Sequence, residues 1–181
     1  MARRVRRRFR GGRIVDLGGG HGLLAQAMLL LDDSSPGAVV VDKTLPPSSA
    51  TLHDALVQAW PRLSGRVAFV EASLDDSEIL PTDVVVSSHA CGALTDVVLD
   101  RAAGAGARVA VLPCCHDFAA NDTGALTGWV DASLAIDIRR AQALEARGYR
   151  IWTQTIDSAV TPRNRLLLGE SRSGEAGRAG R

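Results

Sequence analysis

The stretch that decides the fold is Ile14-Val15-Asp16-Leu17-Gly18-Gly19-Gly20-His21-Gly22, which continues directly into Leu23-Leu24-Ala25-Gln26-Ala27. Its first four residues predict a buried strand, the glycines predict a tight turn, and the apolar run after Gly22 predicts a helix that begins on the turn. Glycine has no Cβ, so such a turn lets backbone N–H groups approach a ligand closely. The dinucleotide pattern G-x-G-x-x-G would need a glycine at position 23, where this chain has Leu23.

From Arg13 onward, apolar runs alternate with segments of helical spacing. Such alternation implies a mostly parallel sheet with right-handed crossovers. The last two predicted strands have no helix between them, which predicts an antiparallel hairpin at the sheet edge. The predicted strands are Ile14–Leu17, Ala38–Val41, Val67–Val70, Val84–Val86, Val109–Leu112, Tyr149–Ile156 and Arg165–Leu168, and the predicted helices are Leu23–Leu31, Ala50–Trp60, Leu94–Ala103 and Leu134–Arg147.

Length and composition favour one α/β domain. A chain of 181 residues with 46% apolar residues is long enough to bury its own core. We expect a basic flexible arm over residues 1–12, where arginines crowd, a folded domain over 13–170, and a flexible tail over 171–181. The arm would attract RNA phosphates. No apolar run reaches the roughly 18 residues of a membrane span, and three cysteines make no disulfide framework, so we expect a cytoplasmic protein. The sequence carries no indication of the oligomeric state.

The glycine stretch has the spacing D-x-G-x-G-x-G, from Asp16 to Gly22, and this resembles the first motif of class I methyltransferases, which bind S-adenosylmethionine (SAM). Five strand–helix units followed by a hairpin are similar to the topology of that family, so the resemblance covers residues 13–169. It implies a Rossmann-like fold with a mostly parallel seven-stranded sheet and an antiparallel edge hairpin. It also implies that the loop packs under the methionine and ribose parts of SAM. The cofactor-binding residues implied here are Asp16, Gly18, Gly19, Gly20 and Gly22.

A second cofactor motif follows the second predicted strand. Asp42 ends that strand at about the 20-residue separation at which ribose-binding βαβ units carry an acid. A carboxylate there can accept hydrogen bonds from both ribose hydroxyls; the alternative is an Asp that caps a turn. Lys43 would contact the same ribose or the adenine. In the resembling enzymes the turn after strand three lies beside the adenine, so Ser73 and Leu74 are candidates for contacts to its edge and face.

Cysteines and histidines follow the fourth and fifth predicted strands. His89 and Cys91 follow strand four, and Cys114, Cys115 and His116 follow strand five. These strands are neighbours in a doubly wound sheet, so the side chains should gather near the SAM methyl group. Three interpretations remain open. The cysteines could be small apolar residues that fill space at the strand ends, beside histidines that form hydrogen bonds in the wall. The cluster could instead bind a metal, or it could line a substrate pocket in which His89 or His116 moves a proton.

Spacing argues against a metal at this cluster. H-x-C and C-C-H are not usual zinc spacings, and adjacent cysteines on an extended chain point to opposite faces. At best one of Cys114 and Cys115 would then reach a metal, so we expect none. For catalysis we favour His116 with Asp117 close by, or His89, over Cys115 as a covalent catalyst.

A narrower resemblance rests on the segments S-H-A-C-G-A-L-T-D, which is 88–96, and P-C-C-H, which is 113–116. Together they resemble a methyltransferase-domain family that includes the eukaryotic tRNA ribose 2′-O-methyltransferases, which carry a related H-x-C-G and C-C-H pair. The resemblance implies that His89 and Cys91 flank the sulfonium and that Cys114, Cys115 and His116 form the acceptor wall. The chain lacks the zinc-finger module that those tRNA enzymes carry ahead of the catalytic domain.

The predicted edge hairpin contains Arg163, Asn164 and Arg165. Two arginines that flank an asparagine at the rim of the site could bind a phosphate or a carboxylate; the alternative is an ordinary charged turn.

The sequence thus predicts a SAM-dependent methyltransferase that acts on RNA, with a tRNA ribose hydroxyl as the leading acceptor. The alternatives are transfer to a small molecule or a protein side chain, and a SAM-binding or partner-binding module without catalysis. The segment after strand four has no N-P-P-Y or D-P-P-Y motif, which argues against methylation of base amino groups.

Overall fold

A seven-stranded sheet, covered by helices on both faces, forms the framework of the protein. The computed structural model describes residues 1–88 and 90–172. In chain order the elements are α1 (Ala2–Arg8), β1 (Ile14–Leu17), α2 (Leu23–Leu31), β2 (Ala38–Asp42), α3 (Ser49–Ala59), β3 (Val67–Glu71), β4 (Val84–Ser87), α4 (Leu94–Gly104), β5 (Arg108–Val111), α5 (Ala132–Ala146), β6 (Tyr149–Thr155) and β7 (Arg165–Ser171).

The strands lie in the order β3-β2-β1-β4-β5-β7-β6. Strands β1 to β5 are parallel, and β7 pairs antiparallel with both β5 and β6. The chain leaves β1 toward β2 on one side, and β4 returns to pair on the other side. This change of direction opens a crevice at the carboxyl ends of β1 and β4, where open α/β sheets bind ligands.

The structure confirms the predicted α/β class, the mostly parallel sheet and the edge hairpin. The predicted bounds of β1 and α2 agree with those observed. The expectation of five strand–helix units is wrong at one connection, because β3 and β4 are joined through a 3₁₀ turn at Leu74–Asp76 and no α-helix. The Ser73 hydroxyl accepts the Asp75 N–H there, and this side-chain bond favours a short turn over a helix.

Alternating strand residues supply two cores, one on each face of the sheet. Val15, Leu17 and Val85 face α4 and α5, and Ile14 and Val84 face the helices on the other side. Successive strand side chains point to opposite faces, so a strand with apolar residues at every position is buried on both sides. The two cores hold the central strands rigidly and fix where their carboxyl ends lie.

Residues 1–12 do not form the flexible arm that the sequence predicts. Ala2–Arg8 is a helix that packs on α2, and Val5 and Phe9 are 0% and 1% exposed. Their i, i+4 spacing gives the segment an apolar stripe, which the surrounding arginines hide in the composition. Arg6 is also buried: its guanidinium donates to Met28 O at 3.2 Å and to Ser35 Oγ at 2.7 Å. Burial lowers the pKa of Arg6 to about 10.

At the other end of the chain, Ser171 belongs to β7, so the predicted tail begins later than residue 171. Its remainder from residue 173 lies outside the described residues, and so does His89. Within the described ranges, no helix combines the length and the apolar character that a membrane crossing requires.

Candidate active site

The glycine loop after β1 has two kinds of position. Gly18 and Gly20 adopt φ values of +67° and +52°, and a Cβ at Gly20 would meet no atom within 4 Å. At Gly22 a Cβ would instead lie 2.8 Å from Val40 Cγ2 and 2.9 Å from Phe69 Cε1. Gly19 is similarly enclosed, by Val40 and Asp16. The enclosed glycines therefore let α2 pack on the sheet, while Gly18 and Gly20 leave an open cradle above the strand end.

Asp42, at the end of β2, contacts this cradle. Its Oδ2 accepts the Gly20 N–H at 2.9 Å, and the side chain is half-buried. A carboxylate has about four lone-pair sites, so one that binds Gly20 can still accept ligand hydroxyls. The open cradle and this acid fit the ribose and methionine parts of SAM. Lys43 is exposed beside Asp42.

Asp16 lies beneath the loop. It is 1% exposed, its Oδ2 accepts the Ala25 N–H at 3.2 Å, and its Oδ1 has no hydrogen-bond partner within the described part of the chain. Burial raises the pKa of Asp16 to about 7, against the opposing effect of the Ala25 hydrogen bond. Asp16 therefore supports the loop and the start of α2 from below.

Ser73 and Leu74, the proposed adenine contacts, begin the turn after β3. Ser73 is exposed, and the Leu74 side chain is 9% exposed and packs with Leu17 and Val41. The structure thus brings this turn to the same edge of the sheet as Asp42.

The three cysteines meet at the carboxyl ends of β4 and β5. Cys91 Sγ lies 2.9 Å from Cys114 Sγ, and Cys114 Sγ lies 3.7 Å from Cys115 Sγ. All three sulfurs lie within 4.8 Å of one another, so the expectation that Cys114 and Cys115 diverge is wrong. It assumed an extended strand, but β5 ends at Val111 and both residues lie in the following loop, where period-two alternation does not apply. The hydrogen bond with Cys114, together with burial, raises the pKa of Cys91 to about 12.

His116 is held by an acid that the sequence analysis missed. Its Nε2 lies 2.8 Å from Asp137 Oδ1, and its side chain is only 2% exposed. A carboxylate only accepts, so Nε2 carries the proton and Nδ1 is the acceptor nitrogen of the neutral ring. Within the described residues, Nδ1 is buried and has no hydrogen-bond partner. The Phe118 ring stacks on His116 at 6.5 Å between centroids.

Asp117, predicted to lie close to His116 as its partner, instead accepts the backbone N–H groups of Ala119 and Ala120 at 3.0 and 3.1 Å. Asp117 therefore does not pair with His116, because it begins a turn and its side chain accepts the backbone N–H groups of that turn. Asp137 lies on α5, far along the chain from His116, and no local sequence pattern joins the two. The sequence shows only that an acid, Asp137, lies on the predicted helix after strand five; it does not show that this acid pairs with His116.

Arginines of α5 and β7 complete the same network. Arg165 Nε donates to Asp137 Oδ2 at 2.7 Å. The buried Arg140 pairs with both oxygens of Asp96, at 2.7 and 2.9 Å, and donates to Gly92 O at 2.9 Å. Bidentate pairing fixes the guanidinium plane, so Arg140 ties the loop after β4 to α5.

The predicted anion-binding group in the edge hairpin is divided. Arg165 faces inward to Asp137, and Asn164 Nδ2 donates to Ile156 O at 2.8 Å. Arg163 is exposed. Of the three, Arg163 alone presents its charged group outward, while Arg165 and Asn164 hold structure.

Two cavities flank His116 and Asp137. A shallow groove of about 680 Å³ is lined by Cys91, Cys115, His116 and Phe118, among others. A second cavity of about 570 Å³, between α5 and the β6–β7 hairpin, is lined by residues that include Pro113, Asp137 and Arg165. Both have the size of small-molecule sites.

Comparisons with known proteins identify the family and the fold. A family model described as "Methyltransferase domain" matches residues 1–121. A search of curated protein sequences found no match to the chain.

Solved structures share the fold at low identity. An O-methyltransferase family protein from Burkholderia thailandensis is 21% identical, with a TM-score of 0.55, and the match covers 88% of this chain and 51% of that one. The O-methyltransferase NcsB1 from neocarzinostatin biosynthesis, in complex with SAM and 2-hydroxy-5-methyl naphthoic acid, is 23% identical, with a TM-score of 0.55, and coverages of 88% and 48%. The antibiotic-resistance methyltransferase Kmr is 18% identical, with a TM-score of 0.56, and coverages of 88% and 87%. The chain spans about half the length of the first two of these proteins.

Proposed function

The chain belongs to the methyltransferase-domain family, and from this premise we propose that it transfers the methyl group of SAM to a hydroxyl acceptor, with His116 as the general base. SAM is the cofactor of this enzyme class. When bound, SAM supplies an electrophilic methyl group on a positively charged sulfur.

Binding of the cofactor is assigned to the glycine loop and Asp42. Gly18 and Gly20 leave the open cradle, and the hydrogen bond from Gly20 to Asp42 Oδ2 places the acid against it. In this assignment Asp42 accepts the ribose hydroxyls, and the exposed Lys43 lies next to it.

The His116–Asp137 pair is the main observation in favour of a hydroxyl as the methyl acceptor. A hydroxyl is a poor nucleophile, and a positioned base that removes its proton contributes about 10²- to 10⁴-fold in rate. Asp137 accepts from Nε2 and so directs the basic Nδ1 away from itself. In this proposal the Nδ1 nitrogen of His116, which is buried and has no partner in the described residues, would accept the proton of the acceptor hydroxyl. SAM held by the glycine loop and Asp42 would supply the methyl group to the hydroxyl oxygen.

For the acceptor we propose RNA, with a tRNA ribose hydroxyl first. Helix α1 supports this choice. Arg4 Nη1 donates to Gln154 Oε1 at 3.2 Å, and Gln154 lies near the carboxyl end of β6. Because β7 is antiparallel to both β5 and β6, β6 runs in the same direction as β5, and their carboxyl ends lie at the same edge of the sheet. The start of α1 therefore lies at the same edge of the sheet as the site, and the exposed Arg3 and Arg7 can contact phosphates.

A small-molecule hydroxyl is the second candidate, favoured by the 570 Å³ cavity beside Asp137. NcsB1 was solved with a hydroxylated naphthoic acid. A phenol of this kind would fit the same base chemistry.

The test is methyl transfer from SAM labelled in the methyl group, to total tRNA in one arm and to a metabolite extract in the other. His116→Ala should slow transfer by about 10²- to 10⁴-fold and leave SAM affinity unchanged. The matched control His53→Ala removes a histidine on α3 and should transfer normally. Label in tRNA that falls with added salt supports the RNA acceptor; label only in the extract supports the small molecule. An unaltered rate for His116→Ala refutes the base assignment.

A further inference from the structure

The chain has three cysteines, and the fold brings all of them to one point. Cys91 comes from the loop after β4, and Cys114 and Cys115 come from the loop after β5. Their sulfurs lie within 4.8 Å of one another, and the cysteines are free. The proton transfer assigned to His116 uses none of these thiols.

The spacing of the sulfurs is close to that of a thiolate-bound ion. A zinc–sulfur bond of about 2.3 Å in a tetrahedral site places its sulfurs about 3.8 Å apart. The Cys114 and Cys115 sulfurs are 3.7 Å apart. The Cys91 and Cys114 sulfurs are 2.9 Å apart, so this pair would widen by about 0.9 Å around the ion.

Backbone groups next to Cys91 and Cys115 are fixed by hydrogen bonds. The Gly92 N–H donates to Cys115 O at 3.2 Å, which joins the two loops directly. Arg140 donates to Gly92 O at 2.9 Å, and the Thr95 hydroxyl donates to Ala90 O at 2.6 Å. A preorganised set of donors binds a metal more tightly than a mobile one, since less ordering is needed.

Access and coordination number favour an open site. Cys91 and Cys115 are exposed and line the groove beside His116. An ion can therefore enter from solvent, and its fourth position would face the groove. Zinc sites with three protein ligands and one exchangeable ligand are well known, and soft thiolates select zinc over hard cations.

We infer that Cys91, Cys114 and Cys115 bind one zinc ion, whose fourth coordination position opens onto the groove. The ion cross-links the loops after β4 and β5 and so fixes one wall of the groove. Each thiol gives up its proton to solvent as its sulfur bonds to the metal, so binding tightens as pH rises.

The experiment uses the untagged, reduced 181-residue chain after treatment with a chelator. Titration with zinc should saturate at one ion per chain and should protect the thiols from a disulfide-exchange reagent. Titration with cobalt should give thiolate-to-cobalt charge-transfer absorption. Each of Cys91→Ser, Cys114→Ser and Cys115→Ser should weaken zinc binding by more than the roughly 10- to 100-fold loss typical of an outer-shell partner.

His53→Ala removes a potential zinc ligand on α3 and should bind zinc as the wild type does. The thiol-protection measurement uses wild-type protein only, so it tests the zinc site even if a serine variant fails to fold. Reduced wild-type protein that binds no zinc and leaves its thiols reactive would overturn the inference. The inference would also be overturned if the isolated protein forms a Cys91–Cys114 disulfide and the thiols recovered by reducing it do not bind zinc.

Discussion

Asp16→Asn tests whether a buried carboxyl that holds its proton tightly lies beneath the glycine loop. Asp16 is buried beneath the loop, and burial raises the pKa of its carboxyl to about 7. In an unfolded chain the pKa of Asp is about 3.9. The folded protein therefore holds this proton more tightly than the unfolded protein does.

The sign of the pH dependence follows from that difference. Well below the unfolded pKa of about 3.9, the carboxyl is protonated in both states and costs no stability. As pH rises from about 4 to 7 the unfolded state releases its proton first, and the free energy of unfolding falls. One pKa unit corresponds to about 1.36 kcal/mol, so the loss reaches at most about 4 kcal/mol at pH 8.

Asparagine has the same shape and does not ionise, so Asp16→Asn removes this loss. Its carbonyl can still accept the Ala25 N–H, while its NH₂ replaces the unpartnered Oδ1 and costs about 1–3 kcal/mol at every pH. The free energy of unfolding of the variant minus that of the wild type should rise by up to about 4 kcal/mol between pH 4 and pH 8.

Urea denaturation followed by tryptophan fluorescence measures both proteins at pH 4, 6 and 8. Asp54→Asn, at an exposed position on α3, removes the same charge and corrects for general electrostatics. A difference between Asp16→Asn and wild type that does not change with pH would refute the account of the buried carboxyl.

Three further perturbations test other parts of the structure. Asp137→Asn keeps an acceptor for His116 but removes the charge that Arg165 pairs with, and methyl-transfer assays should show a rate lower by about 10- to 100-fold with SAM affinity retained; an unchanged rate would remove Asp137 from the site. Phe9→Ala leaves a cavity between α1 and the sheet, so the free energy of unfolding measured by thermal or urea denaturation should fall by about 3–5 kcal/mol. If residues 1–12 were a flexible arm, the free energy of unfolding would not change. Gly20 and Gly22 both have positive φ, so alanine is strained at either position, but only the Cβ of Gly22→Ala also meets Val40. Gly22→Ala should therefore destabilise the fold more than Gly20→Ala, which should in addition weaken SAM binding; equal losses of stability would contradict the division of the loop.

Local patterns carried most of the fold prediction. The strand, turn and helix from Ile14 to Leu31 are decided by neighbours in sequence, so apolar spacing and glycine suffice to locate them. Helix α1 was missed because Val5 and Phe9 are the only fully buried apolar side chains in residues 1–12, and seven arginines in the first thirteen residues dominate the composition. The buried position of Arg6 depends on Met28 and Ser35, which no local pattern connects to it.

The candidate site was predictable only in part, for a similar reason. Topology alone places the cysteines together, because β4 and β5 are neighbours and both end at the same edge. The partner of His116 depends on how α5 packs over that edge, and so Asp117 was named where Asp137 is found. Contacts between distant segments require the fold in three dimensions.

The central claim is that SAM lies in the open glycine cradle with its ribose held by Asp42. Isothermal titration of SAM into the wild type, Asp42→Ala and the exposed control Asp54→Ala measures this directly. The account predicts one SAM per chain, a loss of about 1–3 kcal/mol in binding free energy for Asp42→Ala, and wild-type affinity for Asp54→Ala. Wild-type protein that binds no SAM, or an Asp42→Ala variant that binds it as tightly as the wild type, would contradict it.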